Sequence, residues 1–99
     1  ADILNIKLMK CGGLFRASQI NSIAEAFGVT CMVGCMMETK LATTAGVSLV
    51  AAKKNITEAD CDSFLFYADE QTGMTGGFIR DNDIFTLLDA PGFGLDLSF

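Results

Sequence analysis

The sequence contains no histidine, and none of its cysteines forms a C-x-x-C pair; they are Cys11, Cys31, Cys35 and Cys61. These absences argue against a structural zinc site, which is built from cysteine and histidine ligands at short spacings. The cysteines lie in apolar stretches or beside predicted strand ends, so we interpret them as reduced thiols that pack like small apolar residues. Reduced cysteines are typical of the cytoplasm, where we expect the protein to be.

Positive charge and long apolar runs are also scarce. The 99 residues include seven Lys and Arg and carry a net charge of -5. This argues against nucleic acid as a partner, because phosphate binding depends on clustered positive charge. No apolar run is long enough to span a bilayer, so we expect no membrane partner. The chain begins at Ala1 and enters a strand-like stretch at once, so we expect no signal peptide and a segment cut from a longer protein.

The first two thirds of the chain alternate between strand and helix patterns. Leu4 and Ile6 alternate with Asn5 and Lys7 in the first strand, and Gly28 is a suitable residue to end the first helix. We predict strands over residues 3–9, 29–33 and 59–64, a helix over residues 15–27, and a second helix that follows Glu38 and is closed by Asn55. This alternation predicts an α/β fold with parallel strands, either a doubly wound sheet or part of a (β/α)8 barrel.

The last third of the chain has no helical period. It contains a predicted β-hairpin with strands over residues 78–80 and 84–88 and a turn over residues 81–83. Residues 91–94, Pro-Gly-Phe-Gly, are predicted to be irregular. We interpret this tail as a segment that packs on another domain.

Four polar residues lie toward the C-terminal ends of the predicted strands, where parallel α/β folds place their functional groups: Lys7, Glu38, Asp60 and Asp62. An inward-pointing lysine could act as a base, whereas on an edge strand it would be an ordinary solvated charge. Glu38 could be a first-turn acid that favours the helix dipole. Asp60 and Asp62 would point to the same side and attract a metal ion or an ammonium group, or they could be two solvated loop residues.

Several motifs resemble one family. Residues 5–13 read Asn-Ile-Lys-Leu-Met-Lys-Cys-Gly-Gly, residues 32–39 read Met-Val-Gly-Cys-Met-Met-Glu-Thr, and the Asp60-Cys61-Asp62 and Pro91-Gly92-Phe93-Gly94 motifs follow. Together they resemble the final third of the muconate-lactonizing subgroup of the enolase superfamily, over nearly the whole chain. Within that subgroup, the Asp-x-Asp motif is most like that of dipeptide epimerases of the L-Ala-D/L-Glu type.

The resemblance implies a modified TIM-like barrel, (β/α)7β, with an enolase-type capping domain. The chain would supply strands six to eight with two intervening helices as residues 1–65. Residues 66–99 would then form a C-terminal segment that returns to the capping domain. The remainder of the parent enzyme would be an obligatory partner, and a homo-oligomer is possible.

The resemblance also implies roles for the four polar residues. In dipeptide epimerases, Mg²⁺ and the substrate carboxylate stabilise an enediolate after a proton is removed from the neighbouring α-carbon. Lys7 matches the sixth-strand member of a pair of lysines that move this proton, and Glu38 matches a glutamate near the carboxylate. Asp60 and Asp62 match the pair that binds the α-ammonium group of the dipeptide.

The lysine pair that the family has on its second strand and the three carboxylates that bind Mg²⁺ on its third to fifth strands have no counterpart here. We therefore assign no metal ligand to this chain and expect the fragment alone to be inactive, although its parent would be a cytoplasmic isomerase. One alternative keeps the fold but changes the reaction to that of a muconate cycloisomerase or o-succinylbenzoate synthase. Another class of function is a non-catalytic module that self-associates through open strand edges.

Overall fold

A computed structural model describes residues 1–36, 38–61, 73–82 and 84–97 of the chain. Three parallel strands form a sheet in the order β1-β2-β3, with β1 at Ile3–Ile6, β2 at Thr30–Gly34 and β3 at Ile56–Asp60. The helices between them are α1 at Leu8–Cys11, α2 at Leu14–Ala26 and α3 at Lys40–Ala52. The predicted alternation of parallel strands with helices is therefore confirmed.

Both long helices cover the same face of the sheet. Ile6, Val33 and Ile56 point from the three strands into one buried cluster, which also contains Ala17 and Ala24 of α2 and Ala45 and Leu49 of α3. Both helices lie on one face in a (β/α) barrel and also in one half of a doubly wound sheet, where the helices change face only at the point at which the strand order reverses. The arrangement is thus an open, three-stranded α/β layer with one face covered by helices.

The predicted helix at residues 15–27 is confirmed, and Gly28 follows it with a φ of +72° as expected. The prediction for the first strand was too long, because the strand ends at Ile6 and residues 8–11 form one helical turn. Leu8 alternates with Ile6 in sequence and is buried like it. Burial therefore fits a strand or a helical turn equally well, and periodicity could not distinguish the two.

The prediction for the third strand was wrong in position. The strand covers Ile56–Asp60 rather than residues 59–64, and the part of the prediction beyond Cys61 lies outside the described residues. Ile56 is 4% exposed and belongs to the main core. The sequence did not indicate a strand beginning at Ile56, because this single apolar residue comes directly after the polar residues 53–55.

Antiparallel strand pairs make up the regular structure of the described tail. β4 at Met74–Gly76 pairs with β7 at Leu95–Leu97, and β5 at Phe78–Asp81 pairs with β6 at Ile84–Leu87. The predicted hairpin is confirmed, whereas β4 and β7 were not predicted. Phe78 and Phe85 stack with ring centroids 4.9 Å apart, and the Lys40 ammonium lies 5.6 Å from the Phe78 ring centroid. The contact with Lys40 joins the tail to the N-terminal end of α3.

None of the four cysteines takes part in a disulfide bond. Cys31 is fully buried in β2, and this burial raises the pKa of its thiol, so the neutral form is favoured. Cys11 and Cys61 pack against the same core. The structure therefore agrees with the interpretation of the cysteines as small apolar residues.

A polar contact joins α2 to the turn between α3 and β3. Asn55 Nδ2 donates hydrogen bonds to Asn21 Oδ1 at 3.1 Å and to the Val29 carbonyl at 2.9 Å. The Asn55 carbonyl accepts a bond from the Cys31 N–H at 2.9 Å. Asn21 is 3% exposed, so its side-chain oxygen depends on this contact.

We predict that Asn55→Ala lowers the free energy of unfolding by about 1–3 kcal/mol, because two acceptors lose their donor inside the protein. Ser22→Ala is the matched control, since the Ser22 hydroxyl bonds the Ser18 carbonyl on the exposed side of α2. Urea unfolding of the chain at fixed concentration measures both. Equal stability of the two variants would contradict the structural role of Asn55.

The tail packs closely against α3 at Gly77. A Cβ atom at this position would lie 2.6 Å from Thr44 Oγ1, which is buried and bonded to the Lys40 carbonyl at 2.7 Å. Gly77 also has a φ of +83°, which disfavours any side chain. Gly92 has a φ of +61° but no atom within 4 Å of its Cβ position.

We predict that Gly77→Ala destabilises the chain by about 2 kcal/mol more than Gly92→Ala, because the backbone strain is shared but the overpacking is not. Urea unfolding of both variants gives this difference. If the two substitutions cost the same, the tail does not pack on α3 as described.

Candidate functional site

The candidate site lies on the face of the sheet that α2 and α3 do not cover, called here the free face. A Cβ atom on Gly46 of α3 would lie 3.5 Å from Val33 Cγ1, so Val33 points toward the helix. Its neighbours Met32 and Gly34 therefore point the other way. Asn5 is on the same side as Gly34, because its carboxamide lies against the Gly34 Cβ position.

Lys7 follows β1 at the carboxyl edge of the free face. Its φ and ψ of -119° and 116° are still extended, so the alternation continues for one residue past the strand and places Lys7 on the side of Asn5. The Lys7 carbonyl accepts bonds from the N–H groups of Lys10 and Cys11, which start the short helix α1. The side chain is half-buried and lines a cavity of about 370 Å³.

A β-bulge determines where Asp60 points. Cys31 pairs with Ile56, but the next residue, Met32, pairs with Glu58, so Thr57 is an extra residue in β3. Ala59 and Cys61 consequently line a cavity with α3 residues, whereas Glu58 and Asp60 point to the free face. Without the extra residue, Asp60 would point toward the helices.

Strand register brings Lys7 and Asp60 into one row. Ile6 pairs with Val33, which places Lys7 beside Gly34, and Gly34 pairs with Asp60. Neighbouring strands are about 5 Å apart, so Lys7 and Asp60 start from backbones roughly 10 Å apart. Gly34 leaves the middle of the row free of a side chain of its own. Asp62 lies outside the described residues, and its predicted pairing with Asp60 remains a prediction.

Glu38 stands in the loop between β2 and α3, at the same end of the sheet. It is 7% exposed, and its Oε2 accepts a hydrogen bond from the Met36 N–H at 3.2 Å. Thr39 is the N-cap of α3, where its Oγ1 accepts a bond from the Ala42 N–H at 3.3 Å. Glu38 thus precedes the helix. The alternative interpretation of Glu38 as an acid in the first turn of the helix is therefore wrong.

The sequence analysis did not single out Asn5 and Lys40. Alternation along the strand predicts that Asn5 lies on the same face as Lys7. It does not predict that the Asn5 carboxamide lies against Gly34, because Gly34 belongs to another strand. Lys40 is 7% exposed although it is charged, because its ammonium lies over the Phe78 ring. Phe78 is 38 positions away in sequence, and no local pattern shows that the two meet.

The described residues do not form a magnesium site. Within the described ranges, no group of three or more His, Cys, Asp or Glu side chains could hold a metal ion. Mg²⁺ requires several converging oxygen ligands in near-octahedral order. Asp60 is exposed, and Glu38 already bonds the backbone of its own loop. These two carboxylates therefore do not fit the ion.

Comparison with known proteins identifies the family. The family described as "Enolase C-terminal domain-like" matches residues 1–98, so the chain belongs to it. Among curated relatives, the chain is 43% identical over 95 residues to the L-Ala-D/L-Glu epimerase of Clostridium acetobutylicum, covering 96% of this chain and 26% of that protein. It is 45% identical over 96 residues to a hydrophobic dipeptide epimerase of Enterococcus faecalis, covering 95% and 27%. The chain thus spans about a quarter of these relatives.

Solved structures give the same result. A substrate-liganded complex of the Bacillus subtilis L-Ala-D/L-Glu epimerase matches with a TM-score of 0.91 and 42% identity, over 100% of this chain and 27% of that one. A Methylococcus capsulatus dipeptide epimerase complexed with Mg and L-Arg-D-Lys matches with a TM-score of 0.88 and 37% identity, over 96% and 26%. The relation to the enolase superfamily expected from the motifs is confirmed. No described helix is long and apolar enough to cross a membrane.

Proposed function

We propose that this chain supplies the sixth to eighth strands of the barrel of a longer, Mg²⁺-dependent dipeptide epimerase, with the tail returning to a capping domain. The observation that carries the proposal is the row formed by Lys7, Gly34 and Asp60 at the carboxyl edge of the free face. A lysine and an aspartate on one surface, at the end of the sheet where α/β folds place their functional groups, support the proposal. The similarity to several dipeptide epimerases supports the same function.

Lys7 is proposed to move the α-proton. A neutral amine at this position takes the proton from the α-carbon beside the substrate carboxylate, and the electron pair of the broken C–H bond passes into the carboxylate group. Return of a proton from the opposite face inverts the centre, and that second acid belongs to residues outside this chain. Mg²⁺, also held outside this chain, would supply positive charge at the carboxylate oxygens.

Asp60 and Asp62 are proposed to bind the ammonium group of the dipeptide. A fixed anion orients a substrate with a free amino terminus and disfavours one whose amino group is acylated. This matters because the chain is also 35% identical over 98 residues to an N-succinyl-L-Arg/Lys racemase of Bacillus cereus. The same proton transfer on an N-acylated amino acid would not need the two aspartates.

A chimera tests the proposal, because the isolated chain is expected to be inactive. The corresponding segment of the B. subtilis epimerase is replaced by this chain, and α-proton exchange is followed in D2O by mass spectrometry. We expect exchange with L-Ala-L-Glu and little with N-succinyl amino acids. A preference for the N-succinyl substrates would contradict the assignment of Asp60 and Asp62, and exchange with neither substrate would contradict the proposed function.

We predict that Lys7→Ala in this chimera lowers the rate of epimerisation by about 10²- to 10⁴-fold, the usual contribution of a general base. Exchange can persist for the isomer whose proton faces the other base. Lys10→Ala is the matched control, because Lys10 lines the same cavity but is exposed and lies in α1, outside the row formed by Lys7, Gly34 and Asp60. Epimerisation within tenfold of the unsubstituted chimera would exclude Lys7 as the base.

Glu38 is proposed to contribute a hydrogen bond or an electrostatic interaction near the reacting carboxylate, in addition to its bond with the Met36 N–H. We predict that Glu38→Gln, which keeps an acceptor for that bond, lowers kcat about tenfold, or about 1.4 kcal/mol in barrier height. Its thermal unfolding midpoint should stay close to that of the unsubstituted chimera. Glu38→Ala should lower both. A fully active Glu38→Gln variant would restrict Glu38 to holding the loop.

A further inference from the structure

The Asn5 carboxamide occupies the space above Gly34. A Cβ atom at Gly34 would lie 2.6 Å from Asn5 Oδ1 and 3.1 Å from Asn5 Nδ2. Asn5 therefore reaches across from β1 to β2 and fills the volume that a side chain at position 34 would take. Gly34 has no positive φ. The need for glycine at this position comes from the neighbouring side chain and not from the backbone.

This contact places a neutral polar group in the middle of the row. Lys7 lies on one side of Gly34 and Asp60 lies on the other. The Asn5 carboxamide lies next to Gly34, between these two residues. Asn5 is exposed on the free face, and no hydrogen bond joins its amide to any other described residue. Both its acceptor and its two donors are thus available to a molecule bound on this face.

We infer that the Asn5 carboxamide recognises the peptide linkage of the substrate, an inference that rests on the proposed function. A dipeptide with its ammonium group at Asp60 and its reacting α-carbon at Lys7 has its peptide group between the two, above Gly34. Asn5 Oδ1 accepts the peptide N–H there. A neutral amide suits this position because it competes with neither the ammonium group nor the carboxylate for the charged residues.

Gly34 acts through Asn5 in this arrangement. The atoms that an added methyl group would meet belong to the end of the Asn5 side chain, which can rotate away at little cost to the fold. Gly34→Ala should therefore leave the chain folded and move the carboxamide. Gly34 is a positioning residue, and Asn5 makes the contact with the substrate.

The geometric premise is tested on the chain alone by NMR. Gly34→Ala should shift the side-chain amide resonances of Asn5 and leave those of Asn55 unchanged, because Asn55 is bonded to Asn21 and Val29 on the other side of the sheet. Unchanged Asn5 resonances in a folded Gly34→Ala variant would overturn the contact. Shifts throughout the spectrum would show that Gly34 supports the fold instead and would also overturn the inference.

The recognition itself is tested in the chimera with two substrates, L-Ala-L-Glu and the depsipeptide in which an ester oxygen replaces the peptide N–H. Asn5→Ala should lower kcat/KM for the dipeptide about tenfold and leave the depsipeptide within about twofold, since the ester has no N–H to lose. Gly34→Ala should reproduce this selectivity change. In the Asn5→Ala background, Gly34→Ala should add less than about twofold.

Equal losses on both substrates, or no loss on either, would overturn the role of Asn5 while the chimera remained an active epimerase. Additive losses for the double variant would show that Gly34 does not act through Asn5. An unsubstituted chimera without exchange activity would contradict the proposed function and the peptide-recognition role with it. The three results are distinguishable because each concerns a different variant.

Discussion

The parallel pairing of β1, β2 and β3 determines which residues stand together on the free face of the sheet. The pairing is made by backbone hydrogen bonds alone, but its register decides which side chains lie beside one another at the carboxyl edge. Here it places Lys7, Gly34 and Asp60 in one row. The buried residues on the opposite face fix this register, because slipping a strand by one residue would expose side chains such as Ile6 and Val33.

Local pattern predicted much of this arrangement, and tertiary contacts explain the remainder. Helix α2 was predicted from the helical periodicity of its own segment, and the hairpin of β5 and β6 was predicted from the turn residues between its strands. The end of β1 did not follow, because the buried Leu8 fits a strand or a helical turn equally well. The start of β3 did not follow, because Ile56 comes directly after the polar residues 53–55. The β-bulge at Thr57 is a property of the pairing with β2, and no sequence rule for an isolated strand reveals it.

The candidate site shows the same division. Alternation along the first strand predicts that Lys7 and Asn5 share a face, and the family resemblance indicates roles for Lys7, Glu38 and Asp60. The contact between Asn5 and Gly34 joins residues 29 positions apart in sequence and becomes visible once β1 and β2 are paired. Lys40 is similar, since a charged residue at the start of a helix gives no sign that an aromatic ring will cover it.

Because β3 contains an extra residue, the face to which Asp60 points depends on the number of residues that precede it in the strand as well as on their identity. A related sequence with one residue fewer before the aspartate could keep every residue of the motif and still turn its carboxylate toward the helices. A single-residue gap near position 57 in a relative would therefore indicate a change in the face to which this aspartate points. Insertion or deletion of one residue is therefore enough to add the aspartate charge to the carboxyl edge of the free face or to remove it.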